Sequence, residues 1–214
     1  MFQLLKSYIF RKTRRVWHIF FHYDDLKNFN THENIAEKIV WQKVNRYLKN
    51  KKNLCIMELG CVNGRNLILS NKILKSKYIG IDLNARAISN GKNYLKKNKI
   101  INIKLIRKDI SKINSFDCNY IVMCSFLIYL KKNELLNFLK KVQKSKIKEI
   151  FIMDKFSKKD FFCSDHYYHN KQIFKILKKN YKIYKKKINY KIWDKNKTQS
   201  YFIKLTRKNN FISQ

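Results

Sequence analysis

Proline is absent from this chain of 214 residues, and glycine occurs four times, at positions 60, 64, 80 and 91. The first absence excludes proline-set turns and leaves boundaries to be read from apolar period and polar clusters. The second makes each glycine informative, since so scarce a residue marks places where backbone must bend sharply or come close to something else. Cysteine is sparse and odd in number: Cys55, Cys61, Cys118, Cys124 and Cys163 include no Cys-x-x-Cys pair. Reduced core thiols are the better reading than a disulfide framework, which points to a cytoplasmic protein, and no metal site is implied. No apolar run reaches the roughly 18 residues of a membrane span, and no signal-peptide core precedes a small-residue cleavage site.

Acids are few as well, 14 against 49 lysines and arginines, for a formal net charge of +35. Such a balance usually suggests a polyanion partner. Here the lysines run from end to end instead of along one stripe, and asparagine and isoleucine are inflated with them while alanine is nearly missing. That is the mark of a biased genome, so nucleic acid is an alternative partner and not the favoured one. Residues 1–23 stand apart. Phe2, Leu5, Ile9, Val16 and Phe20 interleave with Lys6, Arg11, Lys12, Arg14 and Arg15, without an acid. A basic amphipathic helix follows, suited to lid the domain, to lie as a peripheral contact on an anionic membrane, or to resemble a transit peptide.

The length suits one domain over residues 50–214 behind an N-terminal basic helical extension and lid over residues 1–49. Asn30-Thr31-His32-Glu33-Asn34 reads as a helix start, with Ile35, Ile39, Val40, Val44, Tyr47 and Leu48 recurring at helical spacing behind it. From Leu54 the pattern alternates: strands at 54–58, 77–81, 102–107, 119–125 and 148–153, helices at 65–75, 84–97 and 132–144. Alternation of this kind predicts a parallel sheet with right-handed crossovers. The stretch from Ile110 to Asn119 leaves room for no more than a turn. A further helix is expected over 170–180, and the β-rich runs Tyr181 to Tyr190 and Ser200 to Thr206 predict a closing antiparallel hairpin around Asp194-Lys195-Asn196-Lys197.

Three of the four glycines punctuate one passage. Glu58-Leu59-Gly60-Cys61-Val62-Asn63-Gly64-Arg65-Asn66 follows the first strand, and Tyr78-Ile79-Gly80-Ile81 then delivers Asp82. Glycines at a strand end let backbone approach a ligand, and an acid about 20 residues on can bond ribose hydroxyls. With Arg107-Lys108-Asp109-Ile110 after the third strand and Asp117 to Leu130 around the fourth, residues 50 to 206 resemble the class I S-adenosylmethionine-dependent methyltransferases. The resemblance implies a fold: α/β and Rossmann-like, a seven-stranded, mostly parallel sheet with a C-terminal antiparallel hairpin and helices on both faces. It implies S-adenosylmethionine as cofactor. Gly60, Asn63, Gly64 and Asn66 would form the loop under its amino-acid end, and Glu58 would organise that loop and the bound amino group. Asp82 would hold the ribose, Leu83 would pack on the adenine, Asp109 would accept the adenine amino group beside Ile110, and Cys124 and Ser125 would lie under the sulfonium. Val62 stands where the family has a glycine. A β-branched residue resists positive φ, so a wider loop path or weaker cofactor binding is expected there.

On the acceptor side, Tyr129 is a candidate to orient the acceptor or take its proton, and His166 or His169, in the cluster Asp165-His166-Tyr167-Tyr168-His169 before the helix expected over 170–180, is a candidate base. His32 and Tyr23, with Asp24 and Asp25, are candidates to line the same mouth. Lack of proline removes the Pro-Pro-Tyr tetrads of nucleobase amine methylation and the Pro-Cys nucleophile of pyrimidine carbon-5 chemistry. The expected reaction is methyl transfer to a hydroxyl or amine of a small molecule or sugar/glycan precursor. An RNA methyltransferase and a degenerate cofactor-binding protein without catalysis are the alternatives, and the oligomeric state is left open.

Overall fold

The computed structural model describes residues 29–32, 35–163, 166–188 and 198–208, with backbone alone at 161–163 and 166. The basic segment over 1–23, the residues Tyr23, Asp24 and Asp25, and the turn at 194–197 lie outside the described residues.

Five parallel strands make the centre: β1 (Cys55–Leu59), β2 (Lys77–Asp82), β3 (Ile103–Arg107), β4 (Tyr120–Cys124) and β5 (Glu149–Ser157). They lie side by side as β3-β2-β1-β4-β5. The chain therefore builds outward from β1 in one direction, returns, and builds outward again in the other. A crevice opens beyond the carboxyl ends at such a reversal, between β1 and β4, and ligands of open α/β sheets sit there. A short hairpin, β6 (Phe161–Cys163) and β7 (His166–Asn170), follows β5; β8 (Tyr181–Lys187) and β9 (Gln199–Arg207) close the sheet. β9 runs antiparallel to β5 and carries β8 on its other edge. The sequence of strands β3-β2-β1-β4-β5-β9-β8 is the expected seven-stranded sheet with its terminal hairpin.

Strand side chains alternate between faces, which divides the core in two. On one face Met57, Leu59, Ile121, Met123, Ile150 and Ile152 pack under α4 (Lys132–Lys144), through Leu135, Phe138, Leu139 and Val142. On the other, Ile56, Val122, Phe151 and Met153 pack under α1 (Ile35–Leu48), α2 (Arg65–Asn71) and α3 (Ala85–Lys97). α1 buries Ala36, Val40, Val44 and Leu48 at intervals of four, with Trp41 beside them. Ile35 and Tyr47, expected on that stripe, are 61% and 51% exposed.

Two elements depart from expectation. The stretch after β7 is not an α-helix: Lys171–Leu177 winds as 3-10 turns. Phe174 and Leu177, buried and three apart, match the 3-10 period of three. The polar aromatic cluster around His169, for which no strand was expected, forms β7. Phe156 pairs with His169 on one edge and with Gln199 on the other, so β7 extends the sheet where β4 has already ended.

Candidate active site

β1 runs into a tight loop with three left-handed residues at alternate positions: Gly60 (φ 78), Val62 (φ 53) and Gly64 (φ 81). Its path is set by β2. Gly60 and Cys61 donate to the Ile81 carbonyl, and Val62 N–H donates to Asp82 Oδ2 at 2.9 Å. Of the two outcomes expected at Val62, a wider path or weaker cofactor binding, the first is not taken; the valine adopts the glycine-like conformation, at a cost of roughly 1–2 kcal/mol for an L-residue. Two close approaches fix the loop's surroundings. A Cβ at Gly60 would lie 2.7 Å from Cδ2 of Phe126, and one at Gly91 on α3 would collide with the Asn63 carbonyl.

Glu58 is 2% exposed, and burial pushes its carboxyl up to about 8 against the pull of its hydrogen bonds to Asn66 and Trp41. Both of those bonds fall on one oxygen: Trp41 Nε1–H (3.1 Å) and Asn66 Nδ2–H (2.9 Å) donate to Oε1. Oε2 is buried with no hydrogen-bond partner. Asn66 is itself oriented, its Oδ1 accepting from His32 Nδ1 at 2.7 Å. Burial holds the His32 imidazole below its ordinary value, with Lys38 and Arg65 adding to the effect and the Asn66 bond opposing it.

Asp82 ends β2 beside this loop. Its Oδ1 accepts from Asn84 N–H (2.8 Å) while Oδ2 holds Val62, and burial raises its carboxyl above the usual range against those backbone bonds. Leu83 follows, half-buried. Two residues beyond β3, Asp109 caps a single 3-10 turn (Ile110–Lys112), its Oδ1 accepting from Ser111 N–H and Oγ–H at 2.9 and 2.8 Å; Ile110 is buried. Since β1, β2 and β3 are adjacent and parallel, Glu58, Asp82 and Asp109 stand in a row along one edge.

Across the crevice, Cys124 ends β4 and Ser125 turns out of it with φ 48. Sequence reasoning missed what shapes this side. Asp154, expected after the fifth strand, lies within β5 and is 3% exposed. Its Oδ2 accepts from Phe126 N–H (2.9 Å) and Leu127 N–H (2.7 Å), and its Oδ1 from Lys155 N–H (2.8 Å). His169 is 2% exposed, and its Nε2–H donates to the carbonyls of Leu127 (3.1 Å) and Leu130 (2.9 Å). That nitrogen is committed to holding the 3-10 turn Leu127–Tyr129, so His169 is a structural group and not a base facing an acceptor. Tyr129 is half-buried at the end of that turn. His166 opens β7, and its side chain lies outside the described residues. A lone acid ending the apolar run Ile150-Phe151-Ile152-Met153 was the available signal for Asp154; Trp41 offered none beyond its place next to a buried stripe.

An open α/β sheet with a glycine loop and a row of carboxylates at its switch point defines a nucleotide-cofactor enzyme of Rossmann-like architecture. A family model described as "Methyltransferase domain" matches residues 50–210, and the chain belongs to that family. It is an S-adenosylmethionine-dependent methyltransferase. A comparison with curated protein sequences finds no match. Among solved structures the chain is similar to PH0226 protein from Pyrococcus horikoshii OT3, at 15% identity over 90% of this chain and 98% of that one, TM-score 0.63. It is also similar to magnesium protoporphyrin IX methyltransferase from Synechocystis PCC 6803 with bound SAH (11%, 96% and 99%, TM-score 0.63). A third is the N-methyltransferase NodS from Bradyrhizobium japonicum WM9 in complex with S-adenosyl-l-homocysteine (14%, 86% and 94%, TM-score 0.63). At these identities the likeness is one of fold.

Proposed function

We propose that the chain transfers the cofactor's methyl group to a hydroxyl or amine of a small molecule or sugar/glycan precursor. The row of Glu58, Asp82 and Asp109 along the carboxyl edge of β1, β2 and β3 carries this reading. The donor set suits the cofactor: a carboxylate with spare lone pairs for a pair of ribose hydroxyls at Asp82, an acceptor for an exocyclic amine at Asp109, and a bare buried oxygen for a cationic amino group at Glu58. Gly60, Asn63, Gly64 and Asn66 line the loop beneath, with Leu83 and Ile110 on the adenine and Cys124 and Ser125 under the sulfur.

Bound S-adenosylmethionine supplies a methyl group already activated as a sulfonium. The chain's part is alignment and exclusion of water. Asp154 and His169 hold residues 126–130 against Gly60, and that loop presents Tyr129 to the acceptor's side of the crevice. In this role Tyr129 orients the acceptor or takes its proton, with His166 as a second candidate from the neighbouring strand. We take residues 50–214 as the cofactor domain and residues 1–49 as its cover, α1 lying directly over the Glu58 end of the site through Trp41.

The small-molecule reading draws support from relatives of the fold such as the porphyrin and coclaurine methyltransferases. RNA is the competing acceptor, favoured by the lysines 171, 175 and 178 around Lys185, whose ammonium is held below its ordinary value by burial and then by those charges. Calorimetry with S-adenosylhomocysteine, followed by transfer of labelled methyl from S-adenosylmethionine to amine, phenol and RNA acceptors, tests the assignment. Binding at micromolar cofactor with methyl transfer to a small acceptor is the expected result; no binding at millimolar cofactor to folded protein overturns it.

A further inference from the structure

β8 ends the sheet with one of its faces open. Residues opposite each other in a ladder share a face, so Lys182, Tyr184 and Lys186 of β8 stand on the same side as Thr206, Lys204 and Phe202 of β9, the side that α1 covers farther in. α1 reaches as far as β5 and β9. Its Tyr47 ring centres 6.0 Å from that of Phe151, and its Lys43 ammonium lies 5.3 Å from the Phe202 ring. Beyond it Tyr184 is 55% exposed, with the exposed Lys182 and Lys186 two residues to either side, and Tyr47 is 51% exposed. Lys204 links the two tyrosines: it faces Tyr184 across the ladder and holds its ammonium 3.4 Å from the centre of the Tyr47 ring. The acid of these rows, Glu149, is taken up by Lys204 at 2.9 Å and Lys51 at 2.8 Å. The exposed lysines therefore set the sign of the face.

The lysine content of the chain as a whole says little about partners; this arrangement says more. Lysines alone on an edge strand guard against pairing with another sheet and need no aromatic beside them. Here an exposed ring sits between two ammonium groups, each about 7 Å along the strand, with a second exposed ring on the neighbouring helix. A single strand of nucleic acid carries the matching pattern, phosphates alternating with bases whose faces stack on aromatic side chains. The chain holds no acid between Asp165 and Asp194, and on the opposite face of β8 Lys185 stands among Lys171, Lys175 and Lys178, so the whole edge is cationic. We propose that Tyr184, Tyr47, Lys182 and Lys186 form a docking platform for single-stranded nucleic acid, with bases on the tyrosines and phosphates on the lysines. An anionic lipid surface would take the lysines, but it calls for protruding Trp, Phe or Leu, and the other exposed large apolar residues, Ile35, Ile73 and Ile101, lie on other elements. The platform lies across β5 and β9 from the row of Glu58, Asp82 and Asp109, and stands apart from the choice of methyl acceptor.

Fluorescence anisotropy of the full chain with a labelled single-stranded RNA of about ten nucleotides tests the platform. Tyr184→Ala should weaken binding roughly tenfold through the loss of one base stack, and Tyr184→Phe, which keeps the ring, should bind as the parent does. Lys182→Gln combined with Lys186→Gln should lower the slope of log affinity against log salt by about 1.4, two phosphate contacts at about 0.7 each. Lys96→Gln combined with Lys97→Gln removes the same charge from the exposed last turn of α3 and should leave the slope as it was. Every substituted side chain is exposed, so unfolding midpoints should match the parent's. Parent-like binding by Tyr184→Ala, or an equal fall in slope from the two lysine pairs, overturns the inference, since attraction would then be spread over a cationic surface. Tighter binding to phosphatidylserine vesicles than to RNA, lost with Lys182 and Lys186, overturns it in favour of a lipid surface.

Discussion

The two sides of the crevice use their buried acids differently. At the β1–β3 side, Glu58 carries two donors on one oxygen and none on the other, and Asp82 is held by the backbone N–H groups of Val62, Leu83 and Asn84. At the β4–β5 side, Asp154 takes the N–H groups of Phe126 and Leu127 and His169 bridges the Leu127 and Leu130 carbonyls, all of them on the segment between β4 and α4, while the other Asp154 oxygen takes its neighbour Lys155 N–H. One side keeps capacity for a ligand at the cost of buried, half-satisfied groups; the other closes on itself and gains a rigid loop. Ligand affinity and fold stability should accordingly respond to mutation in opposite ways on the two sides.

The sharpest break comes from Asp154. Replacing it with alanine leaves the N–H groups of Phe126 and Leu127 without an acceptor in a buried site, and should lower unfolding free energy by about 3–5 kcal/mol in urea titration. Asp154→Asn, which keeps an oxygen, should recover a good part of that loss. If Asp154→Ala costs less than 1 kcal/mol, the loop is held by something else and the contrast fails.

Glu58 should behave the other way. Its folded carboxyl lies at about 8 against an unfolded 4.5, so the unfolded chain ionises first as pH rises. Stability is full below pH 4.5 and lost on the way up to 8, on the order of 3 kcal/mol by pH 7 at about 1.4 kcal/mol per unit crossed. Glu58→Gln should remove that slope and unfold later than the parent at pH 8, while matching it near pH 4. A variant less stable at pH 8 would mean that the acid is ionised and paired in the folded protein.

Asp82→Ala should weaken S-adenosylhomocysteine binding by about 2–3 kcal/mol, the worth of charge-assisted bonds to the ribose, with a smaller effect on stability through the freed Val62 N–H. Unchanged affinity by calorimetry would place the ribose elsewhere.

The same asymmetry explains what could be read before the structure. The β1–β3 side carries its signals in local pattern: a glycine follows a strand and an acid ends the next one, even though the bonds that join them cross from β1 to β2. Element order, the three carboxylates and the closing hairpin were therefore legible. The β4–β5 side depends on partners far along the chain, 27 and 28 residues for the Asp154 bonds to Leu127 and Phe126, and 39 and 42 for those of His169. Nothing local in Asp165-His166-Tyr167-Tyr168-His169 distinguishes a strand added beyond the end of β4 from a polar loop, because the pairing rests on Phe156 and Ser157 alone. Trp41 shows the limit within a single helix: its period says buried, and only tertiary placement brings its N–H to Glu58.

Val62 gives the smallest and most discriminating effect. Its φ of 53 is one that valine resists, yet the N–H it presents there is the one bonded by Asp82. Val62→Gly removes roughly 1–2 kcal/mol of backbone strain but adds about 0.5–1 kcal/mol of unfolded-chain entropy. The two nearly offset, so the change in unfolding free energy should stay below about 1 kcal/mol, whereas cofactor affinity should hold or tighten because the loop reaches the same shape without strain. Weaker cofactor binding in the glycine variant would show that the valine side chain, and not only its backbone, belongs to the site.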